Sequence, residues 1–364
     1  MPLKCGIVGL PNVGKSTIFN ALTAAGALAA NYPFATIDPN VGVVTVPDPR
    51  IDQLSALLKP KKTLYTTVNF VDIAGLVKGA SEGEGLGNQF LSHIREVDAI
   101  GHVVRCFDDT EVVHVEGSIN PERDIAIIDT ELVLKDMESV QKRFTQVERT
   151  AKTGDKDAKA TLEVYTKVKK QLDDGQPVRH MNLSEHEQKV IADLFLLTTK
   201  PVLYICNVSE SDVVNGNDYV KKVREIASKE NARVVVISGK IESEIIELPE
   251  EERKGFLDSL GLKEPGLHSL IHETYALLDL VSFLTAGPDE VRAWTIHRGT
   301  KCPQAAGVIH TDFERGFICA DVIWWEDYVK YRTEQACKDK GLLRTEGKEY
   351  VVRDGDVMHF KFNV

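Results

Sequence analysis

The chain has 364 residues, 43% of them hydrophobic, and carries a net charge of −11. That length buries the cores of two or three domains without disulfide or metal staples. The acidic balance excludes a protein that coats nucleic acid by bulk electrostatics, so no direct DNA binding is expected beyond a local basic patch.

Lys4 alone precedes a short apolar run, which offers no signal-peptide core. Cys5–Val8 reads as a buried strand and Thr17–Ala25 as the helix that follows. Between them, Gly9-Leu10-Pro11-Asn12-Val13-Gly14-Lys15-Ser16 fits GxxxxGK[ST] in the strand-loop-helix setting that such a loop needs. Glycines at both ends let backbone N–H groups converge on a β-phosphate, Lys15 reaches the β and γ oxygens, and Ser16 holds Mg²⁺. The helix N-terminus adds its positive end to the same spot. Asn12, Val13, Gly14, Lys15, Ser16 and Thr17 are the expected phosphate-binding set, and a nucleoside triphosphate is the expected ligand.

Thr36 is the candidate switch hydroxyl that closes on the metal. The strand Thr67–Asp72 runs into Asp72-Ile73-Ala74-Gly75. Asp72 meets Mg²⁺ through water as a Walker-B carboxylate, and Gly75 brings a backbone N–H to the γ-phosphate. Ser16, Thr36 and Asp72 form the expected metal set. Leu76 stands where a water-orienting Gln belongs, and leucine cannot polarise water. Hydrolysis is then either very slow or served by another group, for which His114, His102 and Asn12 are the candidates. His114 follows the strand Ile100–Phe107 in a loop from which it can swing toward the phosphates, whereas His102 inside that strand is favoured as a packed core histidine. Asn12 can seat a monovalent cation that supplies the charge of an arginine finger. His114, Lys15 and Gly75 are the expected catalytic groups. The glycine-rich run Lys78–Asn88 reads as a switch.

From about Asp129 to Leu197 the pattern becomes helical and highly charged, with Val133, Met137, Val140, Phe144 and Val147 alternating at spacings of four and three. Leu162, Tyr165 and Leu172 mark a second arm beyond the break at Thr153-Gly154-Asp155. Two antiparallel helices projecting from the sheet domain are the simplest reading, and a pair lying flat on it is the alternative.

The strand Val202–Asn207 closes on Asn207-Val208-Ser209-Glu210, where a guanine reader of this architecture shows Asn-Lys-x-Asp. Guanine offers two adjacent donors to a short Asp carboxylate, while an Asn amide matches the N6 donor and N7 acceptor of adenine. Val208 in place of Lys and Glu210 in place of Asp therefore predict ATP over GTP, with a permissive site as the alternative. After the strand Arg233–Ser238, Ser238-Gly239-Lys240 supplies backbone to the base edge.

A helix at about Leu267–Leu278 leads to a third regime from Leu280. Val291–Ile296, Ala306–His310, Phe317–Val322 and Met358–Phe362 are strand-like, with a helix around Asp327–Lys340, which predicts a compact α+β module. The expected division is 1–128 with 198–279 as an α/β nucleotide-binding domain, 129–197 as a helical insertion and 280–364 as the module. Six cysteines without CxxC spacing predict reduced thiols in a cytoplasmic protein, and no stretch approaches the roughly 18 apolar residues of a membrane helix.

With GLPNVGKS at the phosphate loop, DIAGLVKGASEGEGLGNQFL after the second strand, NVSE in place of NKxD and AWTIHRGTKCPQAAGVIHTDFERGFICADVI near the C-terminus, the chain resembles the YchF subfamily of Obg-related GTPases from end to end. The resemblance implies a P-loop G domain with a mostly parallel sheet, an inserted coiled-coil hairpin and a C-terminal TGS domain of β-grasp type. It also implies a monomeric ATPase that uses Mg²⁺, is stimulated by K⁺ through Asn12 and lacks the catalytic Gln at Leu76. The resemblance further implies a role for His114 in hydrolysis and the ribosome or its large subunit as the partner. A GTP-driven Obg-like switch and a non-catalytic nucleotide-sensing adaptor are the competing readings.

Overall fold

Apolar runs rich in Val and Ile, closed by glycine or polar residues, form strands where both faces of a parallel sheet are to be buried. The computed structural model describes residues 3–29, 40–73, 86–109 and 114–363, with backbone alone at 26–29 and 86–89. The chain opens with β1 (Lys4–Val8), α1 (Lys15–Ala29), β2 (Val41–Thr45), α2 (Pro49–Leu58), β3 (Lys62–Leu64) and β4 (Thr67–Asp72). Next come α3 (Leu86–Glu96), β5 (Ala99–Arg105), α4 (Pro121–Lys152), α5 (Lys156–Asp173), α6 (Glu185–Ile191), β6 (Val202–Asn207) and α7 (Asp218–Glu230). Then follow β7 (Arg233–Ile237), α8 (Gly239–Glu247), α9 (Glu250–Ser259), α10 (Gly266–Leu277), β8 (Leu280–Ala286) and β9 (Glu290–His297). The last elements are α11 (Cys302–Ile309), α12 (Thr311–Arg315), β10 (Phe317–Trp324), α13 (Trp325–Tyr331), α14 (Glu334–Asp339), β11 (Arg344–Glu346) and β12 (Asp356–Phe362).

Two compact units divide the chain, Met1–Val44 with Asn69–Thr274 and Thr45–Val68 with Tyr275–Val364. The first holds a six-stranded sheet in the order β2-β4-β1-β5-β6-β7. Its neighbours β4, β1, β5, β6 and β7 run parallel, with Ile7 opposite Asp72, Arg105 opposite Asn207, and Asn207 opposite Ile237. Strand order reverses at β1, so a crevice opens beyond its carboxyl end, where such sheets take their ligands. The register brings Val8, Asp72, Asn207 and Ile237 to that one edge.

The helical insertion grows from α4, capped by Asn120, whose side chain accepts from Arg123 N at 3.2 Å, with Pro121 at the first helical position. Its start lies eight residues before the position expected from the charge pattern, because Ile125, Ile128 and Leu132 are buried and bring the first turns of α4 against β5 and α7. Beyond them the chain turns at Gly154, where φ is 97°, and α5 folds back along α4. Val133 and Val140 then pack with Val164, Val168 and Leu172, and Met137, Phe144 and Val147 flank them. Buried Asp136 of α4 accepts from Leu197 N at 2.8 Å and from Thr198 Oγ1 at 2.6 Å, which pins the returning chain just before β6.

The second unit is an α+β sheet in the order β11-β10-β12-β8-β9-β3, antiparallel except for β12–β8 and β3–β9. Alternation along its strands feeds two cores: Val281 and Phe283 pack beneath α11, and Leu284 and Val291 pack with Ile51 and Leu54 of α2. Residues 45–68, which sequence reasoning keeps with the nucleotide-binding domain, thus supply a helix and a strand here. Of Ala306–His310, expected as a strand, Ala306–Ile309 belong instead to helix α11 and His310 caps α12. Pro303 at its start and the buried Cys302, Ala305 and Ala306 at helical spacing explain this, since a short apolar run does not reveal its own period. The helix expected over Asp327–Lys340 is two, because Arg332 takes φ 68° and Thr333 caps α14 by accepting from Ala336 N.

The six cysteines are free, five of them buried. Among the described residues no helix is long and apolar enough to cross a membrane.

Candidate functional site

The loop after β1 wraps the crevice. Gly14 takes φ 90°, and a Cβ there would lie 2.1 Å from Asn207 Nδ2, so glycine is required both for the turn and for the close approach. Asn12 takes φ 63°, a left-handed conformation that asparagine tolerates better than most residues. This backbone demand is a reason for Asn12 that is independent of any cation. Helix α1 starts at Lys15, with Ile18 N donating to Gly14 O at 3.1 Å, so its N-terminal amides face the loop. A cleft of about 460 Å³ is lined by Leu10–Asn12 and Gly14–Thr17.

Asp72 closes β4 beside it, and Ile73 N donates to Ile7 O at 3.2 Å. Lys15 Nζ contacts Asp72 Oδ1, which brings together the cation suited to phosphate and the carboxylate suited to a hard metal. Ser16 and Asp72 supply oxygen donors, the type Mg²⁺ takes alongside phosphate oxygens, and the cleft lined by Gly14–Thr17 gives room for a phosphate beside the helix start. No cluster of three or more His, Cys, Asp or Glu poised for a metal occurs among the described residues. Thr36, Gly75, Leu76 and 78–85 of the glycine-rich run lie outside the described residues, while 86–88 belong to α3.

A second cleft of about 640 Å³ shares Asn12, Gly14 and Thr17 with the first, so the two form one trough long enough for phosphates at one end and a base at the other. Asn207 stands between them, buried. Its Nδ2 donates to Val13 O at 2.9 Å and its Oδ1 accepts from Gly239 N at 3.0 Å. This amide ties the phosphate loop to α8, and one N–H and one lone pair remain for a base. Val208 is buried, with its N–H donating to Ile237 O at 2.9 Å, and Ser238 is buried next to Gly239. Glu210 heads a short turn and pairs its carboxylate with the Lys240 ammonium across the cleft mouth.

Sequence reasoning missed two groups here. Phe107 lines the base cleft with the Arg105 guanidinium 4.6 Å from its ring centroid, and an aromatic just past the carboxyl end of a strand was the available signal. Glu242, one turn into α8, is buried with Oε1 accepting from Gly266 N at 2.7 Å at the start of α10. Its Oε2 has no hydrogen-bond partner among the described residues. Burial raises its pKa to about 7, against the lowering by the Gly266 and Leu267 amides. Glu242 thereby braces the helix whose first residue holds Asn207.

His114 lies in neither cleft lining. It is buried ahead of α4, where Glu116 N–H donates to Nδ1 at 3.1 Å, so the ring proton sits on Nε2 and is donated to Asp124 Oδ2 at 2.9 Å. Arg123 holds the other oxygen of Asp124 at 3.0 Å. The swinging loop residue expected from sequence is thus held on both ring nitrogens. His102 is a packed core residue in β5, its ring 5.7 Å from that of Tyr204, and burial lowers its pKa to about 3 with help from Arg179.

Residues 4–167 match the family model described as 50S ribosome-binding GTPase. Residues 280–363 match the C-terminal model of YchF GTPases, described as a protein of unknown function. The ribosome-binding ATPase YchF of Escherichia coli O157:H7 is 56% identical over 364 residues, covering all of both chains. Its Bacillus subtilis counterpart is 55% identical over 366 residues, again covering both. The solved structure of the Schizosaccharomyces pombe YchF GTPase superposes with a TM-score of 0.89 at 44% identity, covering 99% of this chain and 97% of that one.

Proposed function

The chain belongs to the YchF family and is a P-loop nucleoside-triphosphate hydrolase, and from that premise we propose that it is a ribosome-associated ATPase. It takes ATP ahead of GTP and works as a nucleotide-dependent switch, as a cytoplasmic monomer, on the ribosome or its large subunit. The relatives' names as ribosome-binding ATPases support the partner.

The observation that carries the base preference is the buried Asn207 amide, with the Glu210–Lys240 pair and a buried Val208 beside it. Guanine's N1–H and 2-amino group need an open carboxylate, and here an ammonium already occupies it. The remaining N–H and lone pair of Asn207 suit adenine N6 and N7. Phe107 offers a face to either purine.

At the phosphate end, Lys15 and the loop amides would bind the β and γ oxygens, and Ser16, Asp72 and Thr36 would hold Mg²⁺. Bound there, the ion neutralises charge that builds on the phosphates during transfer. Asn12 would hold K⁺, which would supply positive charge at the same end. Gly75 would donate its N–H to the γ-phosphate. For His114 to orient the attacking water, its ring would have to leave both Asp124 and Glu116, which hold it outside the two clefts.

Turnover of ATP with Mg²⁺ and K⁺, measured alone and with purified large ribosomal subunits, tests this reading. Stimulation by the subunit is expected. An absence of turnover under both conditions contradicts it.

A further inference from the structure

The second unit holds a groove that the nucleotide chemistry does not use. In the parallel pair β12–β8, Val357 stands opposite Leu284, so Ala286, the last residue of β8, is level with His359. Phe360–Phe362 therefore run past the end of β8, while on the other side β12 stays paired with β10 through Phe362 opposite Phe317. Successive residues of a strand point their N–H and C=O to alternate neighbours, so this stretch turns backbone groups toward open space.

A groove of about 560 Å³ lies along that stretch, between the Gly287–Asp289 turn and β12. Its walls are aromatic. Phe313 stacks on exposed Phe362 at 3.8 Å between centroids, and Trp294 is fixed by its Nε1–H donating to Thr285 Oγ1 at 3.0 Å. The charged residues of its lining are acidic, Asp289, Glu290, Asp321 and Glu334, with cations only at its margin. Asp289 pairs with Lys61 and Asp321 with Lys361, but Glu290 and Glu334 have no salt-bridge cation among the described residues. A guanidinium already rests on this wall, since Arg292 sits 3.8 Å from the centroid of the Trp294 ring.

We propose that this groove binds an extended, Lys/Arg-rich peptide segment of a partner protein, which adds as a short strand to the free edge of β12. Main-chain hydrogen bonds to the edge supply register, and alternate side chains drop between Phe313, Phe362 and Trp294. The carboxylates of Asp289, Glu290 and Glu334 select basic side chains and reject acidic ones.

The test uses the full chain and a short peptide alternating lysine and valine, with the same peptide built from glutamate and valine and an N-methylated lysine version as controls. Binding is read by calorimetry and by tryptophan emission. The lysine peptide is expected to bind, the glutamate peptide to fail, and N-methylation to weaken binding about tenfold or more by removing main-chain bonds. Asp289→Lys with Glu334→Lys, both exposed, is expected to weaken the lysine peptide by about tenfold while leaving ATP turnover unchanged. Equal binding of the two charge types, indifference to N-methylation or to charge reversal, or no binding up to about a millimolar overturns the proposal. So does a single-stranded RNA that binds more tightly and displaces the peptide.

Discussion

At the phosphate end of the trough the working groups are backbone amides, one helix start and the Lys15–Asp72 contact, all carried by neighbouring β1 and β4. At the base end they are side chains drawn from separate places: Asn207 from β6, Glu210 from the turn after it, and Lys240 and Glu242 from α8. A grip built of backbone tolerates little and is nearly fixed by its fold. A selector built of side-chain pairs can be retuned by one substitution without disturbing the grip, and that difference separates binding a triphosphate from choosing a purine.

The largest effect falls at the phosphate end. Lys15→Ala should reduce turnover by about a thousandfold, because a charge-assisted contact to the developing phosphate charge is lost. Steady-state kinetics check this, and a loss below about tenfold would mean that backbone alone carries the grip.

Next comes the brace behind the base end. Glu242 holds its proton up to about pH 7 in the folded chain, against 4.5 as the ordinary value. Between those values the folded state binds more protons than the unfolded state, so stability falls as pH rises. The loss amounts to roughly 3 kcal/mol, complete above about pH 7, at about 1.4 kcal/mol per pH unit. Glu242→Gln should remove this slope, so the difference between wild-type and variant unfolding free energies changes across the window. A constant difference would show that the carboxyl stays ionised when buried.

His114→Ala should slow hydrolysis about a hundredfold with little change in ATP affinity, if the ring orients water. Unchanged turnover with a lower melting temperature would assign His114 and Asp124 to structure alone. The smallest effect is at the cleft mouth. Lys240→Ala releases the half-exposed Glu210 carboxylate, and GTP affinity should rise by about twofold, since exposed pairs contribute little. Competition binding reads it, and a fall in GTP affinity would reverse the role assigned to the pair.

The legible part of the molecule is the part in which local sequence dictates local backbone. The phosphate loop, Asp72 at the end of β4, the break at Gly154 and the seam of α4 with α5 all depend on spacings within a few residues, and the structure places them where those spacings put them. Asn207 is legible as the polar residue that closes β6 but not as a bridge, because its partners Val13 and Gly239 lie 194 and 32 residues away in the chain. The placement of α2 and β3 in the second unit was hidden for the same reason. Ile51 and Leu54 announce an amphipathic helix, yet nothing local says which sheet it covers. His114 was misjudged as mobile because the Asp124 and Glu116 partners that bury it leave no periodic trace.

The central claim is that the base end, with its Glu210 carboxylate engaged and its Asn207 amide half free, prefers adenine. Parallel titration of the purified chain with ATP and GTP in Mg²⁺ tests it most directly. ATP is expected to bind at least about tenfold more tightly, a difference of about 1.4 kcal/mol. Equal affinity, or tighter GTP, would contradict the account.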